Sequence, residues 1–180
     1  RLDNVDYRQI AVDALRRAIS MARKESAFFH GTIIQNFQLA SPSLSEEDVI
    51  SAVAAMDLDK IVAGLPEGYQ TRMTEAVRQA LPDATLKGLS LARCLARPAA
   101  VYLLDDPAMD LDTPRRRALE SWLDALRHRA TVIVASNDVG LIEAADRVVF
   151  LDAGRVVMAD TGVDGRRKAL ALIARASSGG

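Results

Sequence analysis

The stretch VYLLDDPAMDLD, residues 101–112, runs from an apolar segment into a burst of aspartates. With Ala100 it opens as AVYLL, an unbroken apolar run of the kind found in strands of parallel sheets, buried on both faces. Asp105 and Asp106 stand side by side where that strand ends. Two carboxylates there make a catalytic pair, a metal site or the remains of one. Two further runs share the pattern, TVIVA at 131–135 and RVVFL at 147–151, and all three are expected in one sheet. Helical spacing separates them. Leu119, Trp122, Leu123 and Leu126 recur at helix period after Asp112, Thr113 and Pro114, which read as an N-cap region followed by Pro at the first helical position. A shorter helix is expected around 140–145. Strands alternating with helices imply an α/β fold with a parallel sheet.

The preceding stretch differs. From Ser45 to about Ala96 the pattern is helical, with no clear strand. SEED at 45–48 resembles a capping box, and Val49, Ala52, Val53 and Met56 form one apolar face. Leu89, Ala92 and Ala96 mark a later helix. SPS at 41–43 reads as a junction, so the expected organisation is a core segment (1–43), a helical insertion (44–97) and the rest of the core (98–180). The closing SSGG is expected to be loose.

The totals exclude several classes. The 180 residues suffice for one medium domain, and 49% hydrophobic residues support a core and argue against global disorder. A net charge of −1 and a pI near 6.2 argue against nucleic acid as the main partner. Arg115, Arg116 and Arg117 are the densest basic cluster and are expected on a solvated helix face. The single cysteine, Cys94, cannot form an intramolecular disulfide and suits a reducing compartment. It falls in an apolar helical pattern, so a small buried residue is expected there rather than a reactive thiol. No apolar run approaches the roughly 18 residues of a membrane span, and no signal peptide is visible. Any membrane association is expected through a partner. The chain begins with Arg1 rather than Met, and is read as a segment trimmed at its N-terminus.

Seven short motifs follow one another in order: FFHGTIIQNF (28–37), LPEGY (65–69), LARCLARP (91–98), VYLLDD (101–106), DLD (110–112), TVIVASN (131–137) and ADRVVFLDAGRVV (145–157). Together they resemble the nucleotide-binding domain of ABC transporters, with the exporter branch the best match. The resemblance covers nearly the whole chain. It implies a RecA-like P-loop NTPase-type core with an inserted helical subdomain. It further implies Mg-ATP as cofactor, a second nucleotide-binding domain as partner in a homo- or heterodimer, and a transmembrane domain that places the protein on the cytoplasmic face of a membrane. A glycine-rich phosphate loop, G-x-x-x-x-G-K-[ST], is not found in these residues. RLDNVDYRQIAVDALRR resembles the segment that follows it in the family.

Of the family's functional positions, one holds the usual residue and four are altered. Asp105 falls where the family holds Mg²⁺, often through water. Asp106 falls where it has the glutamate that polarises the attacking water. One methylene less withdraws the carboxylate by about 1 Å, a misplacement that can cost on the order of 10²-fold. Asn137 stands at the switch-histidine position and cannot carry its charge. Lys24 stands at the Q-loop glutamine, where it would attract phosphate and repel the metal ion. Leu81, Pro82, Asp83, Ala84 and Thr85 replace the L-S-G-G-Q signature. Pro82 removes an amide donor, and Asp83 puts a negative charge where an anion binds. His30 is a variable residue of its motif, and His128 a surface one.

Asp110 and Asp112 read equally well as family positions, Asp112 on the nucleotide side, or as caps before a helix. A phospho-receiver domain also clusters aspartates at strand ends, but its acidic pair and lysine fall in a different order. Three functional readings follow. The first is a degenerate nucleotide-binding domain, the non-hydrolytic or regulatory half of a dimer. The second is a slow but genuine transport ATPase, and the third an α/β interaction domain that binds no nucleotide.

Overall fold

The computed structural model describes residues 1–2 and 4–178, which divide into two compact units, Arg1–Val134 and Ala135–Gly180. In the first, helix α1 (Val12–Ala18) leads without a loop into strand β1 (Ile19–Ala22). Helices α2 (Ile33–Ala40), α3 (Glu46–Ala55), α4 (Asp59–Ala63), α5 (Glu75–Ala80) and α6 (Asp83–Ala96) follow. Then come β2 (Val101–Asp105), α7 (Thr113–Leu126) and β3 (Thr131–Ala135), whose last residue begins the second unit. The sheet order is β1-β2-β3, with β1 parallel to β2 in the register Ile19↔Val101 to Ala22↔Leu104.

The expected double-faced burial of these strands is corrected by the structure. Tyr102 and Leu104 are buried, while Val101 and Leu103 on the opposite face are only half so. Ser20 and Ala22 continue the buried face on β1, and Met21 is exposed. Helix α6 covers that face, where the Ser20 hydroxyl donates to the Cys94 carbonyl at 2.7 Å. From α7, Trp122 meets Tyr102 edge-on at 5.7 Å between ring centroids. A run of apolar residues therefore coexists with one-sided packing.

The helical stretch forms as its sequence signals direct. Ser45 caps α3 with Asp48 in a reciprocal box, and Val49, Val53 and Met56 are fully buried. Thr32 and Gln35 make a second box at the start of α2. Helix α6 is the hub of the core: every residue from Lys87 to Ala92 is buried. At Gly88 an added Cβ would lie 2.9 Å from Leu58 Cδ1 and 3.5 Å from Arg115 Cγ, so the glycine lets two elements approach the helix closely. Arg115 corrects a second expectation. It is buried rather than solvated, paired with Asp112 and donating to the Asp57 carbonyl at 3.2 Å. Its aliphatic stem lies over Gly88, which makes a basic residue a core element.

The second unit holds helix α8 (Val139–Ala144), strands β4 (Arg147–Asp152) and β5 (Arg155–Thr161), and helix α9 (Gly162–Ser178). RVVFL was expected in the parallel sheet; β4 instead pairs antiparallel with β5 in a separate two-stranded sheet. The cause is the two-residue turn at Ala153 and Gly154, both at positive φ (44° and 74°), the geometry that matches strand twist in a tight hairpin. Gly165 lets α9 close on the end of β5, since a Cβ there would meet the Asp160 backbone at 2.9 Å. Lys168 pairs with Asp160 at 2.7 Å. Of the SSGG tail, Ser177 and Ser178 continue α9, and Gly179 and Gly180 lie outside the described residues. Among the described residues no helix is long and apolar enough to cross a membrane.

Candidate functional site

Parallel pairing brings the carboxyl ends of β1 and β2 together, and in open α/β sheets that edge is where ligands bind. Ala22 and Leu104 are register partners, so the residues two positions beyond each, Lys24 and Asp106, leave the sheet side by side. Their side chains meet: Lys24 Nζ lies 3.2 Å from Asp106 Oδ2, with relative side-chain exposures of 51% and 31%. Two positions that the sequence singled out separately are thus bonded to each other. Asp106 takes a left-handed backbone conformation (φ 42°), which the short polar side chain of aspartate tolerates, at the start of the turn leading to Met109. Asp105 ends β2, half-buried.

A second cation completes the surroundings. Lys87 of α6 is buried and donates from Nζ to the Lys24 carbonyl at 2.8 Å and, more weakly, to the Arg23 carbonyl at 3.4 Å. Burial pulls its ammonium below the usual lysine range, and the negative charges of Asp110, Asp106 and Asp105 oppose that shift. Sequence reasoning passed over Lys87. The signal was present, because Lys87, Leu91 and Cys94 fall at i, i+4 and i+7 on the inward face of one helix.

Asn36 was also missed as a working residue, though it lies inside a quoted motif. Almost wholly buried, it accepts from the Phe29 amide at 2.7 Å and donates to the carbonyls of Thr32 (2.9 Å) and Phe29 (3.1 Å). It organises the loop that runs from Phe29 into α2. The Arg78 guanidinium, donating to the Phe28 carbonyl at 2.9 Å, ties the same loop to α5.

The remaining candidates lie on other elements. Leu81 ends α5 and packs on the core, Pro82 stands at the N-cap position of α6, and Asp83 and Ala84 lie in its first turn. No side chain caps this helix; the Thr85 and Leu86 amides turn back to the Pro82 carbonyl, and Thr85 is buried. Asp112 is the N-cap of α7, accepting from the Arg115 amide at 3.3 Å and pairing with its guanidinium. Those bonds account for Asp112 without a ligand. Asp110, exposed, holds φ 64° in the preceding turn. Asn137 falls in the second unit, exposed in the short link between β3 and α8. Buried Cys94 has its thiol 3.4 Å from the Ser20 hydroxyl, and burial pushes that thiol up.

Would these residues suit the Mg²⁺ that the resemblance implies? Among the described residues, no group of three or more histidine, cysteine or acidic side chains is arranged to hold a metal ion. At the strand ends one carboxylate already carries an ammonium. Mg²⁺ takes hard oxygen donors and is repelled by cations, so this set is a poor fit for it.

The α/β sheet with charged loops at its carboxyl edge, beside a block of helices, agrees with the RecA-like core that the resemblance implies. The fold of an ATP-bound bacterial Atm1-family ABC exporter matches it with a TM-score of 0.86 at 23% identity, over 99% of this chain and 31% of that one. The sequence comparisons carry the relationship itself. The chain is 36% identical over 165 residues to the mycobactin import ATP-binding/permease protein IrtB of Mycolicibacterium smegmatis, covering 91% of this chain and 28% of that protein. It is 30% identical to an ATP-dependent lipid A-core flippase of Syntrophus aciditrophicus (87% and 26%) and 28% identical to a heavy metal tolerance protein of Schizosaccharomyces pombe (89% and 19%). No protein-family model matches. The chain is a homologue of ABC exporter ATP-binding/permease proteins, and resembles their nucleotide-binding domain. It spans about a quarter of the length of curated relatives that it matches.

Proposed function

We propose that this chain is a degenerate nucleotide-binding domain, the non-hydrolytic or regulatory half of a dimer of such domains coupled to an exporter's membrane domain. The observation that carries the reading is the 3.2 Å ion pair between Lys24 and Asp106. By family resemblance these positions attend the metal and its water, and supply the base. Here they neutralise each other. The ammonium occupies the carboxylate oxygen that would otherwise hold water, and Asp106 is already one methylene shorter than the family's glutamate. The loop at 81–85 supports the same reading, because Pro82 offers no amide and Asp83 is an anion beside a helix N-terminus. In this role the chain works at the cytoplasmic face of a membrane. It contributes to a homo- or heterodimer by contact rather than by turnover, and segment 24–29 faces the membrane domain.

The test is ATP hydrolysis by the purified chain. No release of phosphate above background is expected. Measurable turnover that disappears in Asp106→Ala would overturn the proposal in favour of a slow transport ATPase.

A further inference from the structure

We infer that Lys24 serves as an internal cation at the carboxyl ends of β1 and β2, so that this site excludes divalent metal and meets any anion without one. The inference rests on the reading just given and deepens it, since it says what replaces the metal. Three observations carry it. The juxtaposition is set by backbone pairing: with Ala22 opposite Leu104 in a parallel ladder, the segments bearing Lys24 and Asp106 emerge side by side whatever their rotamers. The Lys24 backbone is then fastened from below, because the buried Lys87 ammonium binds its carbonyl at 2.8 Å and reaches that of Arg23. Finally, the Lys24 ammonium rests on Asp106 at 3.2 Å.

The pair is half open to solvent, so it breaks and re-forms in water. Anchoring changes what that means. Each time the contact opens, the ammonium stays within reach of the same carboxylate. A divalent ion approaching Asp105 and Asp106 therefore meets the Lys24 charge, with the Lys87 charge beneath it. An ammonium has three donors and no acceptor, so Lys24 can hold Asp106 with one and offer the others to phosphate oxygens.

Mn²⁺ is the probe, because its paramagnetism broadens the amide resonances of nearby residues. The wild-type chain, Lys24→Gln and Lys24→Arg are titrated with Mn²⁺ while the Asp105 and Asp106 amides are followed by NMR; the same spectra report folding. In the wild type and Lys24→Arg these amides stay sharp at Mn²⁺ concentrations on the order of tenfold above those that broaden them in Lys24→Gln, because only the neutral variant removes the repelling charge. Equal broadening in the wild type and Lys24→Gln overturns the inference. So does Lys24→Arg behaving like Lys24→Gln, or no site-specific broadening in any variant, since the lysine would then not be what excludes the ion. ATP turnover by the wild type would sink the proposed function however the Mn²⁺ titration comes out. Mn²⁺ binding by a non-hydrolysing wild type would sink the inference alone.

Discussion

Asn36→Ala measures how much of the loop between Phe29 and α2 depends on one side chain. The substitution removes three good hydrogen bonds, but the groups left behind are not equally stranded. The Phe29 carbonyl keeps the Gly31 amide at 2.7 Å, and the Thr32 carbonyl keeps the Asn36 amide at 3.0 Å. The Phe29 amide is the group that loses its partner at 2.7 Å. One stranded donor costs about 1–3 kcal/mol, and each of two further bonds about 1 kcal/mol net. Access to water beside the exposed Phe29 ring favours the lower values. The expected loss is about 3–4 kcal/mol by urea denaturation, a substantial part of the ~5–15 kcal/mol of an ordinary domain. Asn36→Asp sharpens the test. Its carboxylate can still accept from Phe29, but it faces the Thr32 and Phe29 carbonyls with no proton, in an almost wholly buried site. At pH 7 it should be at least as damaging as alanine, and it should recover as acid protonates it. A loss below about 1 kcal/mol in Asn36→Ala, or an Asn36→Asp chain as stable as the wild type, would refute this account of the loop.

Lys87→Met should alter how stability depends on pH. Because burial lowers the Lys87 ammonium below its ordinary value of 10.5, the unfolded chain binds the proton more tightly than the folded one. This group's contribution to stability therefore rises with pH between the folded value and 10.5, and falls again as the pH drops through the folded value. That alkaline rise should be missing in Lys87→Met, as read by urea denaturation at several pH values. Gly88→Ala gains about 1 kcal/mol of helix propensity but presses on fully buried Leu58 at 2.9 Å, and such overpacking costs about 1–3 kcal/mol. A net loss near 1 kcal/mol is expected, reversing to a gain in a Leu58→Ala background, where the obstruction is gone. Cys94, buried and with its thiol pushed up, should react with a thiol-specific colour reagent only as the chain unfolds; rapid native-state labelling would contradict its placement.

Much of the local structure was legible in the residues. Ser45 and Asp48 announced the start of α3, Asp112 that of α7, and the apolar period from Leu119 to Leu126 its inward face. Strand β1 was not legible, because ISMA is four residues long and contains a serine. That serine is buried only because the Cys94 carbonyl awaits it. RVVFL looked like its parallel counterparts because hydrophobicity alone does not encode the direction of a partner. The turn at Ala153 and Gly154 does encode it, in backbone conformation rather than polarity. Arg115 was misread because a charge in a basic triplet counts as solvated until a carbonyl and a carboxylate are found waiting for it.

The candidate site divides in the same way. Residue types at spaced motifs were enough to mark Lys24, Asp106, Asn137 and the 81–85 loop as departures, because each changes the charge, the reach or the donor count that phosphate chemistry requires. That Lys24 and Asp106 meet, and that Lys87 fastens the loop bearing one of them, was decided by the tertiary structure. The 81 residues from 25 to 105 lie between the pair along the chain, and parallel strands are joined only through long crossovers, so no local pattern records which loops become neighbours.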